Sequence, residues 1–242
     1  MKIILNGACG RMGKVITALC AEKEGYEIVA KVDVLGGDNV LRALHDYDGE
    51  ADVIIDFSHH SATPVLLAYA EKRKLPLVIA ATGHTEDEME LIRNAANKIP
   101  LFFSYNMSMG IAALTHMAKY AAALYPDADI EIVEVHHNRK LDVPSGTALM
   151  IADAVKSVRP NAETVVGRHE NGKRQKQEIG IHSLRMGNVF GEHEVLIATD
   201  TEVLTIKHEV KDRALLGEGA LRAAAFVVTQ SAGLYGMADM VK

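Results

Sequence analysis

Cysteine is scarce in this 242-residue sequence: Cys9 and Cys20 are the only two. They cannot build a disulfide framework and stand in no metal-ligand spacing, which predicts a chain for a reducing compartment. No apolar run reaches the roughly 18 to 20 residues that a bilayer-spanning helix needs. The N-terminus lacks the charged stretch, long apolar run and cleavage site of a signal peptide. A cytoplasmic protein without a membrane segment is expected. Basic charge is not in excess either: 26 Lys and Arg stand against 32 Asp and Glu, for a formal net charge of −6. Neutralising nucleic-acid or lipid phosphate takes a basic surface, so neither partner is expected, and an anionic ligand needs a local cationic site. No G-x-S-x-G elbow and no H-E-x-x-H helix occur. The adjacent pairs His59-His60 and His136-His137 would point to opposite faces of a strand and chelate poorly, so neither a hydrolase triad nor a metal centre is expected.

What the sequence does contain is a regular alternation. Short apolar runs at Ile3–Leu5, Glu27–Val32, Val53–Phe57, Leu77–Ala81 and Leu101–Phe103 read as buried strands. Between them, Arg11–Glu22, Pro64–Lys72 and Glu86–Asn97 carry helical spacing. Strand and helix in alternation predict an α/β fold with a doubly wound parallel sheet. After Ser108 the pattern changes: a helix to Leu124, a strand over Ile130–His137, then strand-like runs at Gln177–Arg185, Glu192–Ala198 and Val203–Val210 separated by short turns. Short turns suggest antiparallel neighbours and a second, α+β domain. A last apolar helix is expected over Ala214–Ser231. The expected division is a first domain of residues 1–107 plus 214–242 and a second domain of residues 108–213.

Directly after the first strand stands Asn6-Gly7-Ala8-Cys9-Gly10-Arg11-Met12-Gly13, running into a helix. This G-x-x-G-x-x-G relative of the dinucleotide fingerprint allows a tight turn at Gly7, close approach of a pyrophosphate at Gly10, and close packing at Gly13. The helix start supplies unpaired N–H donors to the anion. The N-terminal domain is therefore expected to be Rossmann-like. Asp33 ends the second strand, where an acidic residue takes the adenine-ribose hydroxyls. With Val34 after it instead of an arginine, NADH is the expected cofactor, and NADPH use remains open through Lys31 or Arg11. Ligands in open parallel sheets lie beyond the carboxyl ends of the strands, so Asp56–Ser58, Ala80–Gly83 and Ser104–Met107 are expected to border the cofactor.

The segment Glu131 to Ala148, EIVEVHHNRKLDVPSGTA, concentrates chemistry. A strand ends in two histidines and a cationic loop, and a helix opens at Pro144-Ser145-Gly146-Thr147 with Ser145 as a candidate N-cap. Such a helix start binds carboxylate, while a nearby histidine and lysine pair with a second carboxylate or deliver a proton. A small, multiply anionic hydride acceptor fits that combination.

These residues resemble the 4-hydroxy-tetrahydrodipicolinate reductase (dihydrodipicolinate reductase) family of bacterial diaminopimelate and lysine biosynthesis. The resemblance rests on EVHHNRKLDVPSGTA from Glu134, NGACGRMG near the N-terminus, SYNMSMG from Ser104, the RHE of Arg168–Glu170, and IGIHSLRMGNVFGEHEV from Ile179. It implies NAD(P)H-dependent reduction of a cyclic imine dicarboxylate, with His136 and Lys140 as proton-transfer groups and His137, Gly146, Thr147 and Thr82 as substrate-carboxylate contacts. It implies cofactor contacts from Gly7, Ala8, Cys9, Gly10, Arg11, Met12, Asp33, Ala80, Ala81, Thr82, Ser104, Tyr105, Asn106 and Met107, and it implies a homotetramer. Two departures matter: Ala80-Ala81 replaces the usual Gly-Thr, and Asp33-Val34 replaces the acidic-Arg pair. The alternative left by the N-terminal half is another NAD-dependent amino-acid dehydrogenase, of aspartate or homoserine type.

Overall fold

In the computed structural model, which describes residues 1–241, the apolar run that opens the chain becomes β1 (Lys2–Asn6), buried on both faces. It leads through the glycine loop into α1 (Arg11–Glu22), which turns Ile16, Leu19 and Cys20 inward. β2 (Glu27–Val32), β3 (Val53–Asp56), α2 (Thr63–Arg73), β4 (Leu77–Ile79), α3 (Glu86–Ala95) and β5 (Pro100–Phe103) follow. β1 lies between β2 and β3, and β4 and β5 extend the sheet on the β3 side, all in parallel register. Apart from Lys2 at the start of β1, the central strands β1, β3 and β4 carry no polar residue before their last position, as a parallel sheet covered on both faces requires. α3 starts on a capping box: Thr85 accepts from Glu88 N–H while the Glu88 carboxylate accepts from Thr85 N–H.

A second unit, Met109–Arg213, has its own core. It contains α4 (Met109–Leu124), β6 (Asp129–His136), α5 (Gly146–Lys156), β7 (Glu163–Val166), β8 (Glu178–Arg185), β9 (Glu192–Ala198) and β10 (Val203–Glu209). Strict alternation along β6 turns Ile130, Ile132, Glu134 and His136 to the buried face. The sheet order is β10-β9-β6-β8-β7. β9 and β10 pair antiparallel as their short turn predicts. β8 and β9 do not pair, contrary to the antiparallel pairing expected of consecutive strands joined by a short turn. β6 stands between them, parallel to β8 and antiparallel to β9. The β8–β9 connection passes over the end of β6, with Met186 N–H donating to His136 O and Asn138 N–H to Gly187 O. Sequential proximity is overruled here: β6, with Ile130 and Ile132 on its buried face, takes the central place.

The chain then returns to the first unit, formed by Met1–Ser108 and the residues from Ala214 onward. α6 (Ala214–Val227) packs on α1 and the sheet, with Gly217 where a Cβ would stand 2.8 Å from Leu19 and 3.0 Å from Val15. β11 (Gly233–Tyr235) adds a sixth parallel strand beside β5, giving the order β11-β5-β4-β3-β1-β2. The reversal of strand order at β1 is the switch point at which doubly wound sheets open a ligand crevice. Among the described residues, no helix is long and apolar enough to cross a membrane.

Candidate active site

In the first unit, the glycine loop owes its shape to two positions. Gly7 has φ +80°, and a Cβ there would stand 2.7 Å from the Phe57 carbonyl carbon, so only glycine fits this left-handed turn against β3. A Cβ on Gly13 would stand 2.4 Å from Gly7 O and 2.6 Å from Ala8 O; the close approach that Gly13 permits is therefore to the loop itself. Gly7 and Ala8 N–H donate to Val32 O, and Cys9 N–H donates to the Asp33 carboxylate at 3.0 Å, whose other oxygen accepts from Leu35 N–H at 3.0 Å. Asp33 thus braces the loop from the end of β2. Gly10 is the N-cap of α1 and has no side chain to cap it, so the first-turn N–H groups stand as anion donors.

A cavity of about 740 Å³ runs from this loop along the end of β2, lined by Gly7, Gly10, Asp33, Val34, Arg42 and His45 among others. The loop, the uncapped helix start and this adjoining cavity fit a dinucleotide: pyrophosphate at the helix start, adenosine in the cavity. Beneath the loop, the buried Asp56 carboxylate accepts from Asn6 Nδ2 at 2.7 Å and from Ser58 Oγ at 2.6 Å. Burial pushes that carboxyl up, against the pull of these bonds. Ala80 and Ala81, both buried, and the exposed Thr82 follow β4, while Ser104–Met107 follow β5 on the same carboxyl edge. Ser104 Oγ donates to Asn106 O and accepts from Asn106 N–H.

In the second unit, the end of β6 gathers His136, His137 and Lys140 beside the start of α5. His136 closes the strand with its ring on the buried face, and His137 follows it half-buried, with Nδ1 enclosed and lacking a hydrogen-bond partner. A tight turn, Lys140 N–H to His137 O, brings Lys140 back, and its Nζ pairs with Asp142 at 2.9 Å. Ser145 caps α5, its Oγ accepting from Ala148 N–H at 3.2 Å and lying 3.2 Å from His193 Nε2. Gly146 and Thr147 form the first turn of that helix.

Glu134 lies at the centre of this cluster and was not among the residues expected from the sequence. It is fully buried. Its Oε2 accepts from His136 Nδ1 at 2.5 Å and Arg185 Nη1 at 2.9 Å, and its Oε1 from Arg185 Nη2 at 2.8 Å and Ser145 N–H at 3.2 Å. Burial alone would raise this carboxyl, but the bonds from Arg185 and His136 outweigh it and hold Glu134 down at about 2. Burial lowers His136 despite its bond to Glu134, with Lys140 and Arg185 adding to the effect. His193, packed edge-on to His136 with ring centroids 5.2 Å apart, is pushed down to about 4 by burial and then by His136. Arg185 and His193 escaped the sequence reading as well, because they come from β8 and β9. Glu134 carried a signal: it occupies an inward position two residues before His136 in a strand otherwise apolar on that face.

The family profile described as dihydrodipicolinate reductase, N-terminus, matches residues 1–107, and that described as dihydrodipicolinate reductase, C-terminus, matches residues 110–241. The chain is 47% identical to the 4-hydroxy-tetrahydrodipicolinate reductase of Caldanaerobacter subterraneus subsp. tengcongensis, over 100% of this chain and 98% of that protein. It is 41% identical to that of Clostridium tetani, over 100% and 97%. The solved structure of a dipicolinate-bound dihydrodipicolinate reductase from Paenisporosarcina sp. TG-14 shares the fold, with a TM-score of 0.83 at 22% identity, covering 99% of each chain. An amine dehydrogenase from Mycobacterium smegmatis is more distant, with a TM-score of 0.65 at 10% identity over 98% of this chain and 95% of the other. With both halves matched and full-length relatives above 40% identity, the chain belongs to the dihydrodipicolinate reductase family.

Proposed function

We propose that the chain catalyses NAD(P)H-dependent reduction of 4-hydroxy-tetrahydrodipicolinate to tetrahydrodipicolinate in diaminopimelate and L-lysine biosynthesis, with His136 and Lys140 handling the proton. The observation that carries these roles is the convergence of His136, Lys140 and the start of α5 on one edge of the second unit. The nicotinamide cofactor, when bound, supplies the hydride. The 4-hydroxyl leaves the substrate as water, giving a conjugated cyclic imine; as hydride adds to that system negative charge builds toward the ring nitrogen, and Lys140 with His136 stabilises that charge and places a proton on the adjacent ring carbon. The N–H groups at Gly146 and Thr147 and the half-buried His137 beside them are suited to the substrate carboxylates. Thr82, in the first unit, is assigned a further carboxylate contact. The bound dipicolinate of the Paenisporosarcina enzyme supports a planar dicarboxylate as the ligand class. The full-length relatives give no support to an aspartate- or homoserine-type dehydrogenase.

The residues from Gly7 to Met12 would hold the pyrophosphate, Asp33 the adenosine ribose, and Ala80–Thr82 with Ser104–Met107 the nicotinamide end. Asp33 followed by the exposed Val34 supports a preference for NADH. The two free cysteines and the absence of a membrane-spanning helix among the described residues support a cytoplasmic enzyme. A homotetramer would form through the outer face of the second unit's sheet, which presents Val133, Val135 and Leu184. Mixing purified protein with enzymatically generated substrate and following NADH absorbance tests the activity. Undiminished turnover in the doubly substituted His136→Ala, Lys140→Ala protein would refute the residue roles. Light scattering reads the oligomer, and catalytic efficiencies with NADH and NADPH read the preference.

A further inference from the structure

We infer that Glu134, clamped by Arg185, is a positioning residue that locks His136 in the Nδ1–H tautomer, so that Nε2 is the atom left to exchange a proton. The inference rests on the reading of His136 as a proton-transfer group and adds to it the atom, the tautomer and the residue that sets them.

The argument starts with donors and acceptors. Four donors reach the two oxygens of Glu134: both Arg185 terminal nitrogens, His136 Nδ1 and Ser145 N–H. A carboxylate in that company is ionised and can only accept, so the short contact to His136 Nδ1 requires the hydrogen to be on Nδ1. A neutral imidazole carries one N–H; Nε2 is then bare. Left to itself, a neutral histidine side chain favours the opposite tautomer, so the carboxylate is imposing a choice. His136 is also buried and lies near Lys140 and Arg185, and burial together with those two charges disfavours a second proton on the ring.

The register explains how the clamp is built. Glu134 and His136 are two residues apart on β6 and share its inner face. Arg185 is the cross-strand partner of His136 on the parallel neighbour β8, which brings its guanidinium alongside Glu134 in the two-pronged geometry suited to a carboxylate. Through Oε1 the same carboxylate holds Ser145 N–H, at the cap of α5, so the ring that moves the proton and the helix start assigned to the substrate carboxylate share one anchor. Arg185 Nη2 also donates to Asp142 O at 2.8 Å, tying down the segment that carries Lys140. On the far side of the ring, a Cβ on Gly191 would stand 3.1 Å from Nε2, so glycine there leaves this nitrogen clear of a side chain.

The test reads the tautomer and the chemistry separately. Histidine-¹⁵N-labelled wild-type protein is examined by NMR above neutral pH, with the His136 signals assigned by difference against His136→Asn. We expect a protonated Nδ1 and an unprotonated Nε2. In Glu134→Gln, which keeps the volume and loses the charge, the His136 signals should shift toward the Nε2–H form. Its kcat should fall about 100-fold or more, the usual range for lost acid-base catalysis, while KM for NADH stays within about threefold. A wild-type His136 carrying its proton on Nε2 overturns the inference, as does Glu134→Gln with wild-type kcat or with an unchanged His136 spectrum. The wild-type spectrum decides the matter even if Glu134→Gln does not fold. Absence of NADH turnover by the wild type would count against the proposed reaction and leaves the tautomer measurement standing on its own.

Discussion

Replacing Gly191 with alanine tests whether His136 Nε2 needs clear space. The added methyl carbon would stand 3.1 Å from Nε2, 3.5 Å from Cδ2 and 3.9 Å from Cε1. Ordinary contact between such atoms is about 3.5 Å or more, so the overlap at Nε2 is about 0.4 Å and the rest of the ring is in normal contact. The ring has little room to retreat. Its Nδ1 is held by Glu134 at 2.5 Å, and its edge meets His193. Gly191 is itself fixed, its carbonyl accepting from Val210 N–H at 2.9 Å. Its φ is not in the left-handed region, so the backbone tolerates a side chain and the effect is steric.

Overpacking of this kind costs about 1 to 3 kcal/mol when the neighbours are rigid. Part of that appears as lost stability and part as displacement of the ring from its working position. Misplacement of a catalytic group by a fraction of an ångström, with a methyl group over the exchanging atom, should lower kcat about 10- to 100-fold. The glycine loop and Asp33 are untouched, so KM for NADH should hold. Steady-state kinetics with both substrates varied, together with thermal unfolding, separates these effects. Gly191→Ala at wild-type kcat would refute the assignment of Nε2 as the proton-transfer atom.

Three other outcomes are expected. Gly7→Ala forces a side chain into φ +80° and against the Phe57 backbone, so it should cost about 1 to 3 kcal/mol in chemical denaturation and raise KM for NADH; an unchanged KM would argue against the loop as the pyrophosphate seat. Arg42 is a cation lining the cavity beside Asp33, and Arg42→Ala should lower catalytic efficiency with NADPH more than with NADH; equal losses would show that it does not meet a 2′-phosphate. Buried His193 titrates near 4 in the fold, against 6.5 for the free side chain. The unfolded chain therefore binds its proton first, and His193 reduces stability as pH falls from about 6.5 to about 4, by about 3 kcal/mol over the whole window. Denaturant titrations at pH 7.5 and 5 should show this loss in the wild type and a smaller one in His193→Gln; identical pH dependence would refute it.

How much of this was legible in the sequence depended on how local each cause is. The glycine loop, Ser145 as helix cap and the parallel strands up to β5 follow from spacing within a few residues, and the structure has them where the spacing put them. β7 and β11 were not foreseen. β7 is four residues long and without a fully buried position, and β11 is three residues long, so neither generates a period; each forms by pairing with a strand already in place. The β8–β9 connection looked like a hairpin because its turn residues are the same whether the strands pair or straddle a third. The clamp on Glu134 was half readable. A glutamate in the inward phase of Ile130, Ile132 and His136 announces a buried charge, but its partner Arg185 lies 51 residues away and is brought in by parallel pairing.

That placement bears on what the clamp does. Because β6 is parallel to β8 and antiparallel to β9, its carboxyl end meets the end of β8 and the beginning of β9 together. One strand terminus thereby collects Arg185 from one neighbour, Gly191 and His193 from the approach to the other, and Ser145 from the helix that follows. A buried ion pair of this kind is weak as a source of stability, because desolvating both charges offsets most of their attraction, yet removing one partner strands the other at a cost of about 3 to 5 kcal/mol. Two apolar residues at positions 134 and 185 would hold the sheet together as well. They would not fix the tautomer of His136, nor tie its ring to the N–H of Ser145. The structural argument for keeping a carboxylate at the dry end of β6 is therefore orientation of the His136 ring, for which proton transfer is proposed, and fold stability alone does not supply one.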